Sequence, residues 1–223
     1  MDASQILAEG RKISIVTPSW KRAFDVIFAV LLLIIFLPAF LLIIVAQQYE
    51  SRGSVFYISK RVGAGYSIFS LIKFRSMYAN ADDTFLDLAK SNNHYNKSGN
   101  QQSVFIKIKN DPRITVVGKF IRRTSLDELP QLINVLRGDM SIVGNRPIPI
   151  NEAQKLIEEN NFERFYAPGG ITGLWQVTKQ QKESFSDTDR IILDNSYVNK
   201  MTPLTDLRII AKTVFVVLAA ANV

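Results

Sequence analysis

The sequence contains no cysteine and only one histidine, His94, in 223 residues. The absence of cysteine excludes disulfide bonds, thiolate metal sites and a cysteine nucleophile, and it fits a reducing compartment. A single histidine cannot form a metal site with two histidine ligands. Because His94 lies in the polar stretch 91–102, we interpret it as a solvated loop residue rather than a catalytic base.

Acidic residues are outnumbered, with 20 Asp and Glu against 27 Lys and Arg, a formal net charge of +7 and a pI near 9.6. This balance indicates an anionic partner, which could be nucleic acid, a phospholipid surface or a phosphorylated substrate. Charged residues make up 21% and hydrophobic residues 47%, so the composition excludes both a disordered chain and a polytopic membrane protein. The length allows one compact domain with an anchor beside it.

Charge is scarcest in residues 23–46, where Asp25 is the single charged side chain. About 20 apolar residues suffice for a transmembrane helix, and this run is long enough. A cleaved signal peptide does not fit, because its apolar core would be about 7–15 residues long, start earlier and end at small residues. The sequence therefore predicts a membrane-embedded segment.

Two features of this segment favour a helix that enters the bilayer and returns to the same side. Pro38 near its middle removes a backbone hydrogen bond and predicts a kink. The positive-inside rule would place both flanks in the cytoplasm, because both carry basic residues: Lys21, Arg22, Arg52, Lys60 and Arg61. An ordinary kinked spanning helix remains open, since proline is common in membrane helices.

The rest of the pattern predicts an α+β fold that is mostly helical with short strands. Alternating apolar residues on either side of Gly63 and Gly65 indicate two strands around a glycine turn. The polar residues 80–102 suggest a helix followed by a loop. Apolar spacing predicts a helical region between Gly118 and Gly138 and amphipathic helices over 151–165 and 205–220, the last of which could lie on the membrane surface.

The adjacent carboxylates Asp127 and Glu128 are the candidate chemical centre. Ser125 could form a capping box with Glu128, or Asp127 could itself be the helix cap, with Pro130 early in the helix. Either arrangement places the carboxylates near a helix N-terminus, where free amides can receive phosphate. The local string alone is equally compatible with carboxylates that only cap the helix and pair with Arg122 or Arg123.

The surrounding motifs are more specific than the pair itself. They run in order from about Lys21 to the C-terminus as Lys21-Arg22-Ala-Phe-Asp25, Lys73-Phe-Arg-Ser-Met77, Asp111-Pro-Arg113, Arg122 through Gly144, Asn145-Arg146-Pro147, Ile171-Thr-Gly-Leu-Trp-Gln176, Tyr197-Val and Asp206-Leu. In this series the chain resembles the bacterial sugar transferase family, the small monotopic phosphoglycosyl transferases, in their minimal form.

The resemblance implies transfer of a sugar 1-phosphate from a nucleoside diphosphate sugar, usually a UDP-sugar, to a polyprenyl phosphate, with release of UMP. It implies that Asp127 is the nucleophile that forms a covalent phosphosugar intermediate, and that Glu128, with Asp127, holds Mg²⁺. Arginine forks match phosphate geometry, which makes Arg122 and Arg146 candidate phosphate ligands. Lys73 and Arg75 could bind substrate phosphate or lipid headgroups.

The resemblance further implies a protein of the bacterial inner membrane that initiates a surface glycan. We expect an N-terminal extension at 1–20, a membrane-embedded and re-entrant helix at 21–48, and a cytoplasmic catalytic domain at 49–223. The expected partners are a UDP-sugar, polyprenyl phosphate and membrane lipid, without nucleic acid, and a homo-oligomer is compatible with the sequence. The alternative is a non-catalytic, membrane-anchored basic module that binds anionic lipid or nucleic acid.

The sequence departs from the family pattern at several positions. Leu37 precedes Pro38 where the family commonly has serine, which removes a hydroxyl that could satisfy freed backbone groups. Asn145 replaces the first proline of a Pro-Arg-Pro motif, although Arg146 and Pro147 are kept. Gly170 looks like an insertion, and Lys179-Gln180 stands where a Gly-Arg pair is usual. We expect contacts with the nucleotide or sugar to differ in these loops.

Overall fold

The computed structural model describes residues 15, 17–78, 111–179 and 186–221. Its helices and strands, in chain order, are α1 (Ser19–Glu50), β1 (Phe56–Val62), β2 (Ile68–Phe74), α2 (Val116–Arg123), α3 (Gln131–Arg137), β3 (Ser141–Val143), α4 (Ile150–Glu158), β4 (Gly170–Thr172), α5 (Leu174–Lys179), α6 (Asp187–Asn199) and α7 (Pro203–Ala221). This mixture of helices and short strands confirms the predicted α+β class. The predicted helix and loop over 80–102, including His94, lie outside the described residues.

Helix α1 contains 32 residues, so it would be about 48 Å long if it were straight. Within the described ranges it is the one helix long and apolar enough to cross a membrane. Pro38 lies inside it without ending it. The middle of the helix exposes large apolar side chains, among them Ile34, Leu37 and Leu42. The predicted membrane segment is therefore a single helix with an unburied apolar middle.

The first turns of α1 are attached to the globular part through buried polar side chains. Lys21 Nζ lies 2.5 Å from Asp206 Oδ2 on α7 and donates to the Tyr197 hydroxyl on α6 at 3.2 Å. Asp25 accepts hydrogen bonds from Ser141 Oγ and from the backbone amide of the next residue, both at 2.9 Å. Because these charges are paired inside protein, they do not have to enter lipid.

The last turns of α1 are attached to the same globular part. Gln47 Nε2 donates to the backbone carbonyl of Arg75 at 2.6 Å. The Glu50 carboxylate accepts from the backbone amides of Val116 and Val117 at 2.6 and 3.0 Å, which are free because they lie in the first turn of α2. Both ends of the apolar helix are thus bonded to one folded unit.

Strands β1 and β2 form an antiparallel hairpin in which Tyr57 pairs with Lys73 and Arg61 pairs with Phe69. The connection passes through a 3-10 turn at Ala64–Tyr66, where Gly65 has φ of 56°, a value that favours glycine. The predicted pair of strands around a glycine turn is confirmed. Since directly opposite residues share a face of the hairpin, Tyr57, Arg61 and Lys73 lie on the same face.

Strands β3 and β4 are parallel and approach each other very closely. A Cβ atom on Gly170 would lie 2.1 Å from the backbone nitrogen of Gly144, so this position requires glycine. Asn145 lies in the loop that follows β3, and its side-chain amide donates to the carbonyls of Arg164 and Asp194 at 2.9 and 3.1 Å. Where the family commonly has proline, this chain therefore holds the loop by hydrogen bonds.

The hydrophobic core lies between the hairpin, α3, the parallel strands and the C-terminal helices. Its main cluster includes Leu132, Val135, Val143, Tyr197 and Ile209, and the apolar residues of the first half of α1 pack against it. A second cluster joins Phe74 to Ile43 and Ile121, which ties β2 to the second half of α1 and to α2. Lys73 lies in β2 between Leu71 of the main cluster and Phe74 of the second cluster.

Two helix predictions differ from the structure. The region between Gly118 and Gly138 is not one helix, because Ser125 adopts a left-handed backbone with φ of 58° that separates α2 from α3. The helix predicted over 151–165 ends at Glu158, and a 3-10 turn at Glu163–Tyr166 follows it. The last predicted helix is confirmed as α7.

Candidate active site

Asp127 and Glu128 lie in a 3-10 turn, Leu126–Glu128, between α2 and α3. The left-handed Ser125 directs the chain inward here, and its side chain makes no capping hydrogen bond. The cap of α3 is at Pro130. The predicted capping box and the alternative cap at Asp127 are therefore both wrong, because the backbone turn rather than a side-chain cap separates the two helices.

Lys73 reaches the carboxylate pair from the hairpin. Its Nζ lies 2.8 Å from Glu128 Oε1 and 3.8 Å from Asp127 Oδ2. Both carboxylates are mostly buried, with side-chain exposures of 12% and 15%. One lysine thus faces both acids in a site with little water.

Arg146 approaches the same carboxylate from the loop after β3. Its Nη2 lies 2.8 Å from Glu128 Oε1, the oxygen that also receives Lys73. The backbone carbonyl of Arg146 accepts from Arg164 Nη2 at 2.7 Å. Arg164 is itself buried and paired with Asp194 at 3.0 Å, so it fixes the loop that presents Arg146.

The two carboxylates have opposite electrostatic character. Burial alone would raise the pKa of Glu128, but the charges of Arg146 and Lys73 outweigh burial and lower this pKa to about 2. Burial raises the pKa of Asp127 above its ordinary range, although Lys73 opposes that effect. Glu128 is therefore a fixed anion, whereas Asp127 is the more basic and less strongly paired carboxylate.

The other predicted phosphate ligands are less closely gathered. Arg122 lies in the exposed last turn of α2, and its charge reaches Asp127 and lowers that residue's pKa. Within the described ranges it forms no ion pair with the carboxylates, whose cationic partners are Lys73 and Arg146. Arg75 donates to the carbonyls of Ser51 and Arg52, just after α1. Arg75 therefore holds the segment after α1 and forms no ion pair with Asp127 or Glu128.

Sequence reasoning missed Arg164 as a support and Arg61 as a neighbour of the site. Strand alternation places Arg61 on the face of Lys73 and could have identified it, whereas Arg164 lies in a short irregular turn that carries no such signal. Phe74 and Trp175 are buried in the fold. Both are therefore core aromatics rather than exposed stacking surfaces.

The carboxylate pair fits one kind of Mg²⁺ site. The described residues contain no group of three or more His, Cys, Asp or Glu side chains that could hold a metal ion, which does not fit an all-protein metal cage. Mg²⁺ commonly uses one or two carboxylates and completes its shell with water and substrate phosphates. Asp127 and Glu128 match that donor set.

Comparisons with known proteins identify the same family. The sequence profile of the family described as bacterial sugar transferase matches residues 16–220. The exopolysaccharide production protein ExoY of Sinorhizobium fredii is 39% identical over 194 residues, which cover 87% of this chain and 83% of that protein. Together these matches cover nearly the whole chain.

Two longer relatives carry names that state a reaction. The undecaprenyl-phosphate galactose phosphotransferase of Salmonella typhimurium is 40% identical over 198 residues, 89% of this chain and 40% of that protein. The UDP-glucose:undecaprenyl-phosphate glucose-1-phosphate transferase of Escherichia coli is 36% identical over 202 residues, 87% of this chain and 39% of that protein. The resemblance predicted from the motifs is confirmed, as is the enzyme class of phosphoglycosyl transferase, and the chain belongs to the bacterial sugar transferase family.

Proposed function

We propose that this protein transfers a sugar 1-phosphate from a nucleoside diphosphate sugar, specifically a UDP-sugar, to a polyprenyl phosphate and so initiates a surface glycan. The names of the relatives support the general reaction. The observation that carries the proposal for this chain is the buried Asp127, which lies 3.8 Å from Lys73 beside the fixed anion Glu128.

The reaction proceeds in two displacements at the phosphorus atom that bears the sugar. In the first, an oxygen of Asp127 attacks this phosphorus, the bond to the nucleotide phosphate breaks, and UMP leaves. In the second, an oxygen of polyprenyl phosphate attacks the same phosphorus and releases the Asp127 carboxylate. Two displacements allow a desolvated carboxylate to approach the diphosphate in place of a lipid phosphate.

Charge neutralisation is the main requirement of this chemistry, because an anion must approach an anion. Lys73 and Arg146 lie where they can bind the oxygens of the reacting phosphate, and both are oriented by Glu128. Arg122, at the edge of the site, adds positive charge. In this scheme Glu128 positions the two cations beside Asp127.

Mg²⁺ is part of the proposal, with Glu128 and Asp127 as its protein ligands. When bound with the diphosphate it would neutralise charge on the phosphate oxygens. The free oxygen of Glu128 is suited to this, since Lys73 and Arg146 both engage Oε1. With both carboxylates holding the metal, Lys73 and Arg146 are the side chains left to bind the substrate's phosphate oxygens.

We further propose that α1 enters and leaves the bilayer on one side, with the catalytic domain 49–223 on the cytoplasmic face of the inner membrane. Asp25 and Gln47 are 22 residues apart, which in a straight helix is about 33 Å, close to the roughly 30 Å of a bilayer core. A straight span would put these residues at opposite membrane faces. Both are bonded to the same globular unit, which supports a bent, re-entrant helix.

The exposed side of α7 supports a membrane-surface position for that helix. Leu204, Leu207, Phe215 and Leu218 are exposed there, although Asp206 on the same helix is buried against Lys21 near the start of α1. An amphipathic helix attached beside a membrane segment would bury such residues at the headgroup boundary.

The proposed reaction is tested by incubating the purified protein with labelled UDP-sugars, Mg²⁺ and undecaprenyl phosphate. We expect a labelled lipid, release of UMP and, when the lipid is omitted, a labelled protein. Asp127→Asn is expected to lower turnover at least about 10³-fold and abolish the covalent label, since the nucleophile is removed. Chelation of the metal is expected to stop turnover by the wild-type protein.

Asp187→Asn at the start of α6 is the matched control and should retain turnover. Full activity of Asp127→Asn would contradict the proposed mechanism. Binding of anionic lipid or nucleic acid with no transfer from any UDP-sugar would favour the alternative, a non-catalytic basic module.

A further inference from the structure

Arg61 lies on the same face of the hairpin as Lys73 but takes no part in the scheme above. The register pairs Arg61 with Phe69 and Tyr57 with Lys73, so the two cations are four residues apart along the strands, or about 14 Å between their Cα atoms. Arg61 Nε donates to Ser59 Oγ at 3.2 Å. Its terminal nitrogens make no hydrogen bond to any described residue, and they are available to a ligand.

The strand end that carries Arg61 is bonded to the loop that carries Arg146. The amide of Val62 donates to the carbonyl of Ile148 at 2.9 Å, two residues after Arg146. The two guanidinium groups are close enough to repel each other, and burial together with this repulsion lowers the pKa of Arg61. Lys73, Arg146 and Arg61 therefore form a row of cations along one face of the site.

Among the described residues, Arg61 is the cation of this row that forms no ion pair with a carboxylate. Glu128 pairs with Lys73 and Arg146, but no carboxylate of the described residues lies within ion-pair distance of Arg61. The charge of Glu152 on α4 opposes the lowering of the pKa of Arg61, although the two side chains form no ion pair. The terminal nitrogens of this partly buried guanidinium can therefore accept an anionic ligand as their partner.

We propose that Arg61 binds the second phosphate of the donor, the one that leaves with the nucleotide, and so stabilises the charge that develops on the leaving group. This inference rests on the proposed function. Lys73 and Arg146, at one end of the row, can bind the oxygens of one phosphate. The second phosphate of a diphosphate requires a further cation, and Arg61 is the next one along the row. Arginine is suited to a phosphate through its planar fork.

The surroundings of Arg61 favour the donor over the lipid as the source of this phosphate. Helix α4 packs over this end of β1 and exposes polar residues such as Asn151, Lys155 and Glu158. Within the described residues it exposes no large apolar side chain. A nucleotide arrives from water and can reach this side, whereas a polyprenyl chain requires an apolar approach.

The test compares Arg61→Gln and Arg61→Lys with Lys60→Gln, the neighbouring cation on the opposite, exposed face. In the donor half-reaction without lipid, Arg61→Gln is expected to lower the kcat/KM of covalent labelling about 10- to 100-fold, with partial recovery in Arg61→Lys. Direct binding of UMP by calorimetry should weaken by a similar factor. The KM for undecaprenyl phosphate should stay unchanged, and thermal unfolding should show that each variant folds.

The UMP measurement separates failure of this inference from failure of the proposed function. If no UDP-sugar is a substrate, weaker UMP binding by Arg61→Gln than by Lys60→Gln still supports the phosphate subsite. Equal UMP binding by wild type and Arg61→Gln, or no UMP binding by wild type, would overturn it. A variant defect confined to the KM for undecaprenyl phosphate would also overturn it, since the subsite would then belong to the acceptor.

Discussion

Asp127 and Glu128 are adjacent in sequence, yet the residues around them give them different chemistry. Glu128 shares one oxygen between Lys73 and Arg146 and has a pKa of about 2. Asp127 touches Lys73 only at 3.8 Å, and its pKa is raised by burial. A nucleophile benefits from being desolvated and basic, whereas a residue that orients cations must stay ionised.

Burial raises the pKa of Asp127, and the charge of Lys73 is the largest effect that opposes burial. This charge lowers the pKa of Asp127, so Lys73→Gln should raise that pKa further and move the acid limb of the pH profile of kcat/KM to higher pH. Covalent labelling by a UDP-sugar, measured from pH 5 to 9, provides the profile. Lys60→Gln is the control, because Lys60 bonds to Ser70 on the other face.

An acid limb at the same pH in Lys73→Gln and wild type would show that Lys73 does not influence the proposed nucleophile, Asp127.

The stability of the fold should depend on pH through Glu128. The lowered pKa of Glu128 means that its ion pairs stabilise the protein above about pH 4.5, the ordinary value, and that this contribution is lost as pH falls toward about 2.

The individual residues of the candidate site were only partly predictable from the sequence. Arg146 and the carboxylates were identified from motifs, and the structure brings them together. The partner of Glu128 could not be chosen from local sequence, where Arg122 and Arg123 are nearer than Lys73. Lys73 reaches the site only because the hairpin packs across the turn that carries the acids, which is a tertiary effect.

At the level of helices, the end of α1 caps α2, the helix that leads to the turn Leu126–Glu128. Glu50 accepts from two amides at the start of α2, and Thr115 Oγ1 accepts from the amide of Gly118 at 2.8 Å. A carboxylate at a helix N-terminus satisfies free amides and interacts favourably with the helix dipole. The end of the apolar helix is thereby fixed to the element that positions Asp127.

Glu50→Ala should therefore destabilise the fold by about 1 kcal/mol, which corresponds to a decrease of roughly 2–4 °C in Tm for a chain of this size. Thermal unfolding of the protein in lipid nanodiscs measures the change. Glu158→Ala, in the exposed last turn of α4, is the matched control and should leave Tm nearly unchanged. A Tm for Glu50→Ala equal to that of the control would contradict the capping role.

Secondary structure was predictable where local pattern and tertiary packing agree. The hairpin has strand alternation and a glycine turn, and α7 has a long apolar periodicity, so both were identified. The break at Ser125 was not predicted, because the apolar spacing around it is typical of a helix. A left-handed backbone at serine is also unfavourable by roughly 1–2 kcal/mol. Packing of the turn against Lys73 and the core compensates for that cost, and such compensation is not visible in a sequence.

At the scale of the whole molecule, the topology proposed for α1 can be measured with single cysteines, since the natural sequence has none. Ser19→Cys and Ser54→Cys place a thiol at exposed positions on either side of the apolar segment. In intact cells both should resist a membrane-impermeant thiol reagent added from the periplasmic side. Both should react once the inner membrane is permeabilised, which serves as the control for reactivity.

Labelling of only one of the two cysteines in intact cells would show that α1 spans the membrane. Labelling of both would place the catalytic domain in the periplasm and contradict the proposed localisation. The sequence could not decide between these outcomes, because Pro38 and the basic flanks are compatible with either geometry. The bonds from both ends of α1 to one domain add the argument that sequence lacks.

The pairing of Lys21 with Asp206 imposes an order on the synthesis and folding of the protein. The two residues are separated by 185 positions, and a chain is synthesised from its N-terminus. The membrane segment is therefore made long before the acid that neutralises its first lysine leaves the ribosome. Until α7 has been synthesised, Lys21 must remain in water or among lipid headgroups. Attachment of the start of α1 to the folded domain is therefore among the last steps of folding.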